Sequence, residues 1–237
     1  DNSSHYKVGS IVADCHGNLD NVYSNATIHS SAEVSETDMK TGGLVGSLDA
    51  WDYQNSSAGT IAVTNCWYEG RMSLGINTRF AGGLVGDFTR GTINMTNCLF
   101  TGNILDGNTV HATDYVGGFF GDITESQYET VVNISSCISA GEVLETINNN
   151  DIGGGVGAIG GYFSFSSWNE KPKTYHSVTL TLDNVFASRE CHAKSVSVGE
   201  DTHELQDETG NSILDESGNV ITAKTVLEGR PVWTYSD

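Results

Sequence analysis

The sequence predicts an all-β fold, a right-handed parallel β-helix (β-solenoid) of about five coils closed by a C-terminal β meander or cap. Three observations predict it. A glycine and hydrophobic block recurs along the chain, a second block of different character follows each copy, and no segment sustains an apolar period of 3.6 residues between helix caps.

The glycine block reads GSIVADC from Gly9, GGLVGSL from Gly42, GGLVGDF from Gly82, GGFFGDI from Gly117 and GGGVGAI from Gly153. Its starts are separated by about 33, 40, 35 and 36 residues, a period that belongs to solenoids and propellers. The partner block reads LDNVYSNATI from Leu19, VTNCWYEGRM from Val63, MTNCLFTGNI from Met95, ISSCISAGEV from Ile134 and LDNVFASREC from Leu182. Aligned, these blocks place Asn21, Asn65, Asn97, Ser136 and Asn184 at one position and Val22, Cys66, Cys98, Cys137 and Val185 at the next. A short third run follows, as at Asn103 to Leu105 or Glu142 to Leu144, so three short strands per coil are expected. A propeller, with about four strands per blade, ranks second.

Each recurrent position has a physical reading. Glycines remove side chains where the chain turns tightly or where coils approach. The recurrent Asn suits a turn and can bond through its amide to the Asn of the neighbouring coil. Interchange of Cys66, Cys98 and Cys137 with valine marks a small apolar core position, so buried free thiols are expected ahead of reactive or metal-binding ones. Asp87 and Asp122 follow the last glycine in equal register, as turn caps or, alternatively, as a cation site or acid pair.

Residues 1–195 form the repeat region, and residues 196–237 read as a β cap or the start of a next module. There DETGNSIL from Asp207 is followed at once by DESGNVIT from Asp215, with Gly210 and Gly218 as hairpin turn residues and Trp233 and Tyr235 as apolar faces. The same DETGN and DESGN turns resemble weak calcium loops, so calcium is possible; no other cofactor is expected.

Composition bounds the function. The 237 residues include 28 Gly and two Pro, and 38% are hydrophobic, enough apolar material for a folded domain. Net charge is −19, from 11 basic and 30 acidic residues. That field repels phosphate backbones and anionic lipid, so nucleic acid is excluded as a partner. No apolar run reaches the roughly 18 residues of a membrane helix, so no membrane insertion is expected. The start at Asp1, without initiator Met or signal pattern, reads as a mature product or excised fragment. None of the seven histidines makes an H-E-x-x-H pair, and a G-x-S-x-G elbow and a Walker loop are missing, so the expectation is that the chain is not an enzyme. N-x-S/T sequons at Asn2, Asn25, Asn55, Asn94 and Asn133 are near chance for so Ser- and Thr-rich a chain.

The blocks resemble the GLUG-motif repeats of bacterial cell-surface proteins, in which GGLVG-type blocks alternate with a T-I-x-N-C-Y-A-x-G-type block. AGGLVGDF from Ala81 and TINMTNCLFTGNI from Thr92 carry the resemblance best, and it covers roughly the first four-fifths of the chain. It implies an extracellular β-solenoid at the bacterial cell surface, within a larger, often adhesin-like polypeptide whose neighbouring domains are partners. It brings no catalytic residue. Ser10 and Ala13 replace two glycines of the first copy, and no glycine block follows the fifth partner block, as terminal coils would have it.

Two long insertions leave the repeat at one position, Asp49 to Thr60 and Gly160 to Ser177. Solenoids carry binding function on such loops. Trp51, Tyr53, Tyr162, Phe165, Trp168 and Tyr175 are therefore the candidate ligand-binding residues, with Phe163 beside them, for a glycan or a host surface protein. Two alternatives stay open: a structural spacer whose insertions fold back on the rod, and a polysaccharide-active β-helix enzyme with clustered carboxylates.

Overall fold

A computed structural model describes residues 6–29, 39–75, 78–106, 115–123, 130–143, 156–163, 178–188, 217–218 and 233–235. It is a parallel β-solenoid. Apart from one small hairpin, every strand pairs in parallel with its counterpart one coil away, and among the described residues there is no helix.

Each complete coil makes five strands, where three were expected. Sheet I stacks Lys7–Gly9, Met39–Gly42, Thr78–Gly82, Tyr115–Gly117 and Val156–Gly157, and sheet II stacks Val12–Cys15, Val45–Leu48, Val85–Phe88, Phe120–Ile123 and Gly160–Phe163. Sheet III holds Leu19–Asp20, Thr60–Thr64, Gly91–Thr96, Thr130–Ser135 and Val178–Asp183. Sheet IV holds Tyr23–Ser24, Trp67–Tyr68, Leu99–Phe100, Ile138–Ser139, Phe186–Ser188 and Trp233–Tyr235, and sheet V holds Ile28–His29, Arg71–Leu74, Asn103–Asp106 and Glu142–Val143. The extra strands have local causes. The Gly-Gly corner splits each glycine block between sheets I and II, and the recurrent polar residue splits each partner block between sheets III and IV. Asn21, Asn65, Asn97, Ser136 and Asn184 all adopt the left-handed conformation, with φ between 52 and 56°, which a strand does not continue through.

At three of the four steps those turn residues are linked across coils, as the sequence led one to expect. Asn65 Nδ2 donates to Asn21 Oδ1 at 3.2 Å, Asn97 Nδ2 to Asn65 Oδ1 at 3.3 Å, and Asn184 Nδ2 to Ser136 Oγ at 3.4 Å. The next residue turns inward. Cys66, Cys98, Cys137 and Val185 are buried in one file, and the three thiols are free of disulfides. Cys98 Sγ donates to Val63 O at 3.3 Å, and contact with the Cys137 thiol together with burial pushes Cys98 up to about 12.

The second glycine of each corner faces a side chain across the core. A Cβ on Gly43 would sit 2.5 Å from the Tyr68 ring, and one on Gly83 would run into the Phe100 ring. Where the glycine is replaced, the opposing residue shrinks. Ser10 meets Ser24, with Oγ to Oγ at 2.7 Å, and Ala158 stands in the coil whose opposing residue is Ala187.

That last pairing corrects the frame of the fifth block. Gly117 pairs with Gly157 and Phe120 with Gly160, so the block is Gly157 to Gly161, GAIGG, and does not start at Gly153. The core decides it. In this frame Ile159 is fully buried at the place of Leu44, Leu84 and Phe119, whereas the Gly153 frame would put Gly155 there and leave a cavity. Tyr162, and not Ala158, then shares the position of Asp14, Ser47, Asp87 and Asp122.

Asp87 and Asp122 are in register and buried, as adjacency required. Asp87 is ion-paired to Lys40 and accepts the Ser47 hydroxyl at 3.3 Å, so a protein cation serves its charge. Of the expected cap, Trp233–Tyr235 adds a parallel strand to Phe186–Ser188 on sheet IV, and Ser217 and Gly218 form a turn with Gly218 at φ 85°. The rest of that segment, including the boundary at residue 195, lies outside the described residues.

Candidate functional site

The Asp49 to Thr60 insertion is a projecting antiparallel hairpin at the corner between sheets II and III. Trp51–Asp52 pairs with Ser57–Ala58, Trp51 opposite Ala58 and Asp52 opposite Ser57. Its tip is closed by the Asp52 carboxylate, which accepts the backbone N–H of Gln54 at 2.9 Å and of Asn55 at 3.1 Å, and Asn55 Nδ2 at 2.7 Å. Its neck is pinned by backbone bonds, Asp49 N to Cys15 O at 3.0 Å and Gly59 N to Ala50 O at 2.6 Å. Gly91, at φ 85°, lies so close to that neck that a Cβ would come within 2.9 Å of the Ala50 methyl.

A cluster gathers at the hairpin's base. Arg90, one coil on, makes a bidentate pair with Asp49, Nε to Oδ1 and Nη2 to Oδ2, each at 2.9 Å. Its guanidinium lies over the Trp51 ring, 4.4 Å from the centroid, and 5.9 Å from that of Tyr53. The Tyr53 hydroxyl donates to Asp49 Oδ2 at 3.3 Å. His16, from the first coil, meets the Tyr53 ring edge-on at 5.3 Å, with Nδ1 3.7 Å from Asp49 Oδ2. Burial raises the Asp49 carboxyl, but the Arg90 hydrogen bonds and charge outweigh it and hold the group below the usual carboxylate range.

Chemically the cluster is a surface of aromatic rings around a neutralised ion pair. Tyr53 is 63% exposed, while Trp51 is half-buried beneath Arg90. A bidentate Arg–carboxylate pair fixes geometry while cancelling charge, leaving ring faces and a few hydrogen-bonding edges for a ligand. Among the described residues no group of three or more His, Cys, Asp or Glu is placed to hold a metal ion.

Of the six candidate residues, the structure brings Trp51 and Tyr53 together. The backbone of Tyr162 lies in the sheet II strand Gly160–Phe163, paired beside Asp122, and so belongs to the solenoid wall. Phe165, Trp168 and Tyr175 lie outside the described residues. Arg90 and His16 were not anticipated. Arg90 carried a signal, since it is one of only 11 basic residues and stands 41 positions, about one repeat, after Asp49.

Compared with protein-family models, with curated proteins and with solved structures, the chain matches none.

Proposed function

We propose that this chain is an extracellular repeat module of a larger bacterial surface protein of the GLUG-motif kind, and that it binds a glycan or a host surface protein through the hairpin at Trp51 and Tyr53. The observation that carries the reading is the bound base of that hairpin. Arg90 and Asp49 fix the hairpin's base, and the Tyr53 ring held beside them is 63% exposed. Preorganised aromatic side chains lower the ordering cost of binding.

The test is a screen of the intact chain against glycan arrays and immobilised mucins. Tyr53→Ala and Trp51→Ala should each weaken the hit by about 1–3 kcal/mol, while added salt changes little. If the double variant binds every hit as the parent does, the hairpin is packing. A structural spacer is then the better reading, and the half-burial of Trp51 under Arg90 is the observation that favours it.

A further inference from the structure

A second feature lies on the outer wall of sheets III and IV. The outward position of sheet IV is apolar in every coil: Tyr23, Trp67, Leu99, Ile138 and Phe186 stand in one register, each paired with the next. Their inward neighbours Ser24, Tyr68, Phe100, Ser139 and Ala187 are buried. The outward row meets solvent, with Tyr23 48% and Ile138 39% exposed. At about 4.8 Å per coil it runs for roughly 19 Å along the rod axis.

The row is held and flanked by hydrogen-bonding groups. The Tyr23 and Trp67 rings are tilted against each other with centroids 5.0 Å apart. Trp67 Nε1 donates to Thr101 Oγ1 at 2.8 Å, and the Tyr23 hydroxyl donates to Glu69, so both rings are fixed before any ligand arrives. Beside them runs the exposed file of Asn21, Asn65 and Asn97. In each link one amide N–H and one oxygen lone pair are used, so Asn65 keeps a further N–H and a further lone pair for solvent or ligand.

The surroundings select the ligand's charge. In a chain of net charge −19, the adjoining sheet III strands Thr60–Thr64, Gly91–Thr96 and Thr130–Ser135 hold no charged residue. Their outward side chains are mainly hydroxyls and amides, among them Thr92, Asn94, Thr96, Asn133 and Ser135. Charge borders the row without entering it: Asp20 and Asp183 lie on the two outer sheet III strands, Glu69 accepts the Tyr23 hydroxyl, and Arg71 and Glu142 stand on sheet V, so a charged partner meets only scattered groups at the margins. A small metabolite would need a cavity, and a second copy would have to bury about 800 Å² per partner, more than a single file of five side chains offers.

The geometry points to a binding face for a neutral polysaccharide lying along the rod axis. Its ring C–H faces would stack on Tyr23, Trp67 and the aliphatic rungs, and its hydroxyls would bond to the asparagine file. A polymer of repeating rings suits a wall that repeats the same chemistry once per coil. This face shares no residue with the hairpin, so the two proposals stand or fall separately.

The test uses the intact chain and four probes, cellohexaose, maltohexaose, chitohexaose and soluble β-mannan, read by calorimetry and affinity electrophoresis. At least one should bind, with an affinity that molar salt leaves unchanged. Tyr23→Ala and Trp67→Ala should each weaken it about tenfold, and Trp67→Phe should recover most of the loss. Asn65→Gly, which keeps the left-handed turn and removes the amide, should weaken it by about threefold. Circular dichroism and the melting temperature show that each variant is folded. The inference is overturned if no probe binds, if salt abolishes binding, or if the Tyr23→Ala/Trp67→Ala double variant binds as the parent does. It is equally overturned if Trp51→Ala removes the binding, or if the chain sediments as a dimer that Tyr23→Lys disperses, since the row is then covered by a second copy.

Discussion

At the scale of single residues, two rules recur from coil to coil. The first is the left-handed turn of the partner block, filled by Asn in four coils and Ser in one. Asn tolerates that conformation and its amide also ties one coil to the next. Replacing Asn97 separates the two contributions. Asn97→Gly keeps the backbone unstrained and loses only the amide links, whereas Asn97→Ala also forces an L side chain into positive φ. Urea unfolding should find the alanine variant the less stable by about 1 kcal/mol. Equal stabilities would mean that φ carries none of the preference. The second is reciprocal size across the corner, kept in four coils: glycine opposite Tyr68 or Phe100, serine opposite serine, alanine in the coil of Ala187; in the fourth coil along the chain, Gly118 faces the small Ser139, whose hydroxyl donates to Ala158 O at 2.6 Å. Ser10, where the first coil departs from the glycine pattern, is therefore a matched substitution.

At the scale of elements, one ion pair clamps the side chains at the hairpin's base, beside the backbone bonds of its neck. The Asp49 carboxyl lies below its ordinary value of about 3.9, so its contribution to stability is present above that value and is lost as the pH falls through the folded one. Tryptophan fluorescence of the parent should step below about pH 4 as Arg90 leaves the Trp51 ring. Asp49→Asn should lack that step and give the acid-form spectrum already at neutral pH. Parallel titrations of the two proteins would show that Asp49 does not hold the loop. The loop's existence was legible in the sequence, because an insertion between aligned blocks has nowhere to go but outward. Its clamp was not: a coil brings together residues 41 apart, and pairing Arg90 with Asp49 needs the register first. The five-coil stack and the cysteine file were legible for the converse reason, since stacking places like on like. The fifth glycine block misled because GGGVG matches by spelling, while the structure selects by which residue fills the core, and Ile159 does. The outward row on sheet IV was written in the aligned partner blocks all along. Sequence similarity does not reveal it, because Tyr23, Trp67, Leu99, Ile138 and Phe186 differ in kind and share only their direction.

At the scale of the whole molecule, coils touch mainly their neighbours, so an interior coil should be removable. Deleting residues 83–117, which joins Gly82 to Gly118, brings Trp67 opposite Ile138 and Cys66 opposite Cys137, both pairings the wall already tolerates in kind. The shortened chain should unfold cooperatively in urea with an m-value lower by roughly a fifth, in proportion to the surface lost. An unfolded product would show that contacts beyond nearest neighbours hold the stack. The direction of the backbone hydrogen bonds has a mechanical consequence. They run along the rod, from one coil to the next, so tension between its ends loads them in line and opens them a coil at a time. Each coil of about 36 residues would release on the order of 120 Å of slack as it peels away, and a solenoid anchored at one end and gripped at the other would lengthen in steps under pull before it let go.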